Sequence, residues 1–196
     1  MAATVAIGVT ATTTWPAADS LAATAQSGCP LPGDTAIFYT ITPESDASAL
    51  LKRQISGQFS VTRGSKWDGV SGDERWRLHP AIDDLGQPLC EGTDPVVYIE
   101  NVEIKAGFDE FYHLDTENNG HFAWYHGAPG TSAPDTSSSQ HWVMHPLDAL
   151  GGYTFRNRSL EMPENARYLN YDQAGGNFPF VMGGGSSRLT LRQLPT

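Results

Sequence analysis

The densest run of side chains able to do chemistry lies between Asp115 and His126, where carboxylates, two amides, two imidazoles and the rings of Trp124 and Tyr125 stand close together. Asp115-Thr116-Glu117-Asn118-Asn119-Gly120 places oxygen ligands at alternate positions before a glycine, as the first half of a calcium loop does. The likeness stops there: the twelfth position holds His126 where a bidentate Glu is required, and no helical periodicity flanks the segment. Asn119-Gly120 is also the strongest hairpin signal in the chain, so Asp115 could equally cap a turn. His141 and His145 would share a metal on a helix, but on a strand they stand roughly 13 Å apart. No Ser-His-acid arrangement, phosphate loop, H-E-x-x-H or nucleophile elbow is present, so no catalytic residue, metal or cofactor is nominated and no enzyme is expected.

The elements that must position these residues repeat three times. Gly57-Gln58-Phe59-Ser60-Val61-Thr62-Arg63-Gly64 aligns without gaps on Gly120-His121-Phe122-Ala123-Trp124-Tyr125-His126-Gly127 and on Gly176-Asn177-Phe178-Pro179-Phe180-Val181-Met182-Gly183. After each copy comes an alternating block: Arg75-Trp76-Arg77-Leu78-His79-Pro80, His141-Trp142-Val143-Met144-His145-Pro146, and Arg188-Leu189-Thr190-Leu191-Arg192. Before each comes another: Tyr39-Thr40-Ile41, Val97-Tyr98-Ile99-Glu100-Asn101, and Tyr153-Thr154-Phe155-Arg156-Asn157. Leu50 with Leu51, Tyr112 with Leu114, and Tyr168 with Leu169 lie between. Period two makes each block a short strand, so the chain is all-β, with about four strands per unit and about twelve in all. Such an array must close to remove its edges, and three units of roughly 50 residues fit a β-trefoil better than a propeller. Phe59, Phe122 and Phe178 should then be equivalent core positions, as should Trp76, Trp142 and Leu189.

Composition agrees. The 196 residues include 20 Gly and 13 Pro with only 17% charged side chains, a turn-dense balance that excludes a long-helix protein. A net charge of −10 repels phosphate backbones and anionic lipid, so nucleic acid is a poor partner. There is no membrane span and no positive n-region of a signal peptide, the first basic residue being Lys52, so a soluble chain, cytoplasmic or secreted, is expected. Cys29 and Cys90 permit one disulfide or two thiols. Residues 1–34, rich in Ala, Thr and Ser around a lone Trp15, stand outside the repeat as an N-terminal extension. Units of about 35–80, 81–146 and 147–196 follow.

These blocks resemble the ricin-B-type β-trefoil family: Tyr-x-Ile/Phe-x-Asn opens a unit, Tyr-Leu marks the second strand, and Gln140-His141-Trp142 matches the Q-x-W motif. The resemblance covers residues 35–196 and is nearest the fungal branch, which holds both lectins and protease inhibitors. Glu74-Arg75-Trp76 and Ser187-Arg188-Leu189 depart from the motif. The resemblance implies a glycan as partner, held by a carboxylate or amide meeting sugar hydroxyls and by an aromatic ring stacked on the sugar. It carries these roles onto Asp115, Asn118, Asn119, His121, Trp124, Tyr125, His126 and Gln140 of the second unit. If Phe122 is core, period two turns Tyr125 rather than Trp124 outward as the stacking ring. Asn170, Tyr171, Asp172 and Asn177 form a possible weaker site in the third unit, and the first unit should bind no sugar this way. One shallow site gains avidity from a second site or from a homo-oligomer.

The alternative within the same branch is a protease inhibitor presenting rigid loops, here Gly64 to Asp73 with Trp67 and Ala128 to Ser139; its partner would be a protease. Asn157-Arg158-Ser159 is a glycosylation sequon that matters only in a secreted protein.

Overall fold

The structure is a computed structural model that describes residues 29, 31, 37–53, 61–65, 72–83, 85–105, 108–116, 123–129, 138–148, 151–159, 163–174 and 180–195. Thirteen strands occupy them: β1 (Tyr39–Pro43), β2 (Ala49–Arg53), β3 (Val61–Ser65), β4 (Trp76–Pro80), β5 (Cys90–Glu91), β6 (Asp94–Lys105), β7 (Phe108–Thr116), β8 (Ala123–Pro129), β9 (Trp142–Pro146), β10 (Gly152–Asn157), β11 (Tyr168–Tyr171), β12 (Phe180–Gly183) and β13 (Leu189–Gln193).

Six of them form a closed antiparallel ring. β1 pairs with β4, β4 with β6, β6 with β9, β9 with β10, β10 with β13, and β13 returns to β1 through Tyr39↔Gln193 to Pro43↔Leu189. Closure removes the free edges that a short-stranded sheet would otherwise expose. Three hairpins, β2–β3, β7–β8 and β11–β12, cover one end, and their second strands β3, β8 and β12 touch one another pairwise. A six-stranded barrel capped by three hairpins about a three-fold axis is the β-trefoil expected from the repeats. The extra strand, β5, pairs with the start of β6 across a two-residue turn whose Gly92 takes φ +63°, a conformation glycine reaches without steric cost.

The core follows the repeats position by position. Trp76, Trp142 and Leu189 are fully buried at the starts of β4, β9 and β13, and Leu51, Leu114 and Leu169 are fully buried in the hairpins. Ile41, Ile99 and Phe155 make a third layer inside the barrel. Each such side chain removed from water contributes on the order of 1.5–3 kcal/mol. The expected triplet Phe59, Phe122 and Phe178 lies outside the described residues.

Asparagines seal the seams between units. Asn101 of β6 donates through Nδ2 to the carbonyls of Gly72 and Arg75, around the short 3-10 turn that leads into β4, the last strand of the first unit. Asn157 of β10 does the same to Ser139 at 2.6 Å, in the turn that leads into β9, the last strand of the second. Its Oδ1 accepts the backbone N–H of Ser159, so the sequon asparagine is fully buried and its amide is occupied on both sides.

Two features reach beyond the repeat pattern. Cys29 and Cys90 form a disulfide across 61 residues, settling the pairing that the sequence left open and fastening residue 29 to the barrel wall, while Leu31 packs on the core. Trp15 lies outside the described residues. On the outer face of β4 and β6, the fully buried Glu100 accepts from Arg77 at 2.9 Å and lies 2.6 Å from His79.

Candidate functional site

The three hairpins present one recurring pair of positions, and their chemistry differs from unit to unit. The first member follows the buried hairpin leucine; the second stands two residues before the buried Trp or Leu of the barrel strand. These pairs are Lys52 with Glu74, Asp115 with Gln140, and Asn170 with Ser187.

In the first unit, Lys52 Nζ lies 3.9 Å from Glu74 Oε1, an ion pair in place of a binding carboxylate. Glu74 is almost wholly buried and lies over Gly64, where an added Cβ would sit 2.0 Å from Glu74 Oε1. Arg53 and Asp73, 2.7 Å apart, continue this buried network to Asn101. The third unit is closed by its own backbone: Asn170 Oδ1 accepts the N–H of Ser187, and Ser187 Oγ accepts that of Tyr171, both at 2.9 Å.

The second unit is built differently. Asp115 is half-buried; its Oδ1 accepts the Thr116 N–H at 2.6 Å and its Oδ2 accepts from Gln140 Nε2 at 3.3 Å. An ionised carboxylate offers about four acceptor sites, so these two bonds orient it and leave capacity for a ligand. Gln140 is 1% exposed, and its Oε1 finds no partner among the described residues, a buried acceptor able to take a donor. Gln140 thus fixes the carboxylate from behind. Strand register sets Trp124 opposite Asp115 and Tyr125 opposite the buried Leu114, while His126 stands opposite His113. Directly opposed residues share a face of an antiparallel pair. By this register position 124 is the cross-strand neighbour of Asp115. Asn118, Asn119 and His121 lie outside the described residues.

In the possible site of the third unit, Tyr171 and Asp172 take partners within the fold. Tyr171 donates its hydroxyl to Asp46 Oδ2 at 2.7 Å and its ring tilts against Phe180 at 5.2 Å. Burial, with the Asp46 carboxylate beside it, pushes the Tyr171 hydroxyl up to about 12. Asp172 accepts the Ala174 N–H and so caps a turn, and Asn177 lies outside the described residues. The Asp46 link was invisible in the sequence, because its partner is 125 residues away.

His141 and His145 take separate partners: the first meets the Tyr98 hydroxyl at 3.0 Å, the second Asp94 at 2.7 Å. Of the two loops nominated for protease contact, 66–71 and 130–137 lie outside the described residues. No helix among the described residues is long and apolar enough to cross a membrane.

No protein-family model and no curated protein matches the sequence. Solved structures do match in fold. A GlcNAcα1-4Gal-releasing endo-β-galactosidase from Clostridium perfringens superposes with a TM-score of 0.55 at 16% identity, over 81% of this chain and 33% of that one. The designed three-fold symmetric protein ThreeFoil gives 0.51 at 16% identity, over 80% of this chain and 99% of its own. A Polyporus squamosus lectin, bound to the human-type influenza-binding epitope Neu5Acα2-6Galβ1-4GlcNAc, gives 0.51 at 16% identity, over 80% of this chain and 49% of that one. This chain therefore spans about a third of the endo-β-galactosidase and about half of the lectin. At these identities the likeness establishes the β-trefoil fold.

Proposed function

We propose that the chain is a carbohydrate-binding β-trefoil of the ricin-B type, without catalysis, that holds a glycan at the second hairpin. A division at about residue 34 into extension and binding domain goes with this reading. Asp115 accepts from vicinal sugar hydroxyls, Gln140 holds the carboxylate in place, and the ring at Trp124 supplies the stacking face, with Tyr125, His126, Asn118, Asn119 and His121 flanking it. The observation that supports this most is the contrast between units. Of three equivalent positions, only that of Asp115 presents a half-exposed carboxylate, whereas Lys52 is ion-paired to Glu74 and Asn170 is satisfied by Ser187. Hydrogen bonds to such a charged acceptor contribute about 1.5–3 kcal/mol each, so one shallow site binds weakly and gains from multivalency. The disulfide suits an oxidising compartment, where glycoconjugates are displayed.

A glycan array identifies a responsive sugar, and titration of Asp115→Ala against it tests the site. Loss of binding with an unchanged thermal midpoint is expected. Undiminished binding by Asp115→Ala would overturn this site. Inhibition of papain-like or trypsin-like proteases with no glycan bound would replace the reading with that of an inhibitor.

A further inference from the structure

On the barrel wall, where the start of β6 runs beside β9 and β10, a cleft of about 470 Å³ opens to solvent. Its size falls within the range of small-molecule sites. Glu91 and Asp94 from the β5–β6 turn line it, with His145 from β9, Thr154 and Arg156 from β10 and Tyr168 from β11. The alternation that buries Trp142, Met144 and Phe155 inside the barrel puts His145, Thr154 and Arg156 on the outer face, where Thr154 and His145 are direct cross-strand partners. This cleft is separate from Asp115 and Gln140, and its chemistry is argued from its own residues.

The acidic, arginine and histidine side chains lining the cleft already have polar partners. Asp94 Oδ2 lies 2.7 Å from His145 Nδ1; Glu91 takes Arg156 on one oxygen and Arg158 on the other. An anionic ligand would have to displace Glu91 from its arginines on a chain of net charge −10, and a cationic ligand would face two guanidinium groups. A hydroxyl group meets neither obstacle, because it can donate to Asp94 or Glu91 and accept from Arg156 or His145 while the Asp94–His145 and Glu91–arginine contacts stay in place. The wall is also covalently tied: Cys90, directly before Glu91, is bonded to Cys29, and the Gly92–Thr93 turn returns the chain into β6. We infer that this cleft is a second binding site, which takes a neutral, hydroxyl-rich ligand of mono- or disaccharide size.

The test uses ¹⁵N-labelled full-length protein carrying Asp115→Ala, so that the hairpin site is removed, titrated with galactose, N-acetylglucosamine, lactose and N-acetyllactosamine. Saturable amide shifts at Gly92, Thr93, His145 and Thr154 are expected for at least one sugar. His145→Ala and Glu91→Gln, each added to that background, should weaken the response at least tenfold with an unchanged thermal midpoint. His145 is 57% exposed at its side chain, so its removal leaves the core intact. The inference is overturned if none of the four sugars shifts these amides, if both variants respond as the parent does, or if sialyllactose or sulfate binds there in place of the neutral sugars. Shifts at Thr116 and Gln140 in the unsubstituted protein report the hairpin site separately, so either site can fail alone.

Discussion

The indole N–H of Trp142 donates to the backbone carbonyl of Leu114 at 2.9 Å, tying a barrel strand to the hairpin of its own unit. Trp76 makes the same bond to Leu51, also at 2.9 Å. Leu189 has no such donor, and the third hairpin is tied instead through Ser187 to Asn170 and Tyr171. The aromatic of the motif is therefore both a core side chain and a clamp on the carbonyl directly before Asp115.

Trp142→Phe keeps most of the packing but leaves the buried Leu114 carbonyl without its donor, at a cost of about 1–3 kcal/mol. Trp142→Ala adds a cavity and should cost about 3–5 kcal/mol. Urea unfolding measures both, and a Phe variant as stable as the parent would show that the bond contributes nothing.

Gly64→Ala places a methyl group 2.0 Å from Glu74 Oε1 unless that buried side chain moves. Overpacking of this kind costs about 1–3 kcal/mol. The accompanying Glu74→Ala, Gly64→Ala double variant relieves the collision, so the two changes should be strongly non-additive in a double-mutant cycle.

Replacing both cysteines by alanine frees a loop with 61-residue separation. The chain-entropy estimate for a loop of that length is about 4 kcal/mol. A lower denaturation midpoint with a steeper slope is expected, because the freed unfolded chain exposes more surface; equal midpoints would mean that the staple constrains the unfolded chain little.

Acid sensitivity should come in two steps. Burial alone would raise the pKa of Glu100, but the hydrogen bond and charge of His79, with Arg77, outweigh it and hold it below the ordinary 4.5. A folded value below the unfolded one gives stability that is complete above about 4.5 and lost as pH falls through the lowered value. His79→Ala should therefore start acid unfolding at a higher pH. Burial, helped by Arg158, lowers the pKa of His141 from 6.5, so the unfolded chain takes up that proton first and stability declines as pH drops below 6.5. His141→Gln should flatten the stability profile between pH 7 and 5; an unchanged slope would rule His141 out as the source.

The architecture was readable because period two and the three-fold repeat describe the same residues: Trp76, Trp142 and Leu189 fall at one position of one motif, and all three are fully buried. The family pattern singles out Asp115 and Gln140 in the sequence. That they bond to each other, and that Lys52–Glu74 and Asn170–Ser187 are their counterparts, depends on how each hairpin folds back onto the barrel. Counting from Phe122 singles out Tyr125 as the stacking ring, whereas the Cα register of β7 and β8 pairs Asp115 with position 124. Tyr171, an aromatic in a polar setting, is what points to a sugar platform in the third unit. Its bond to Asp46 joins the first and third units, a contact no local spacing encodes.

Closure of the barrel by β1 against β13 has a consequence for synthesis. The first barrel strand to leave the ribosome waits for β13, so the ring cannot seal before residues 189–193 have emerged. Pairings between segments so distant in sequence slow folding and keep unpaired strands in contact with solvent meanwhile. A nascent chain halted before residue 189 should be readily cut by proteases, and resistance should arise only in chains long enough for β13 to have emerged.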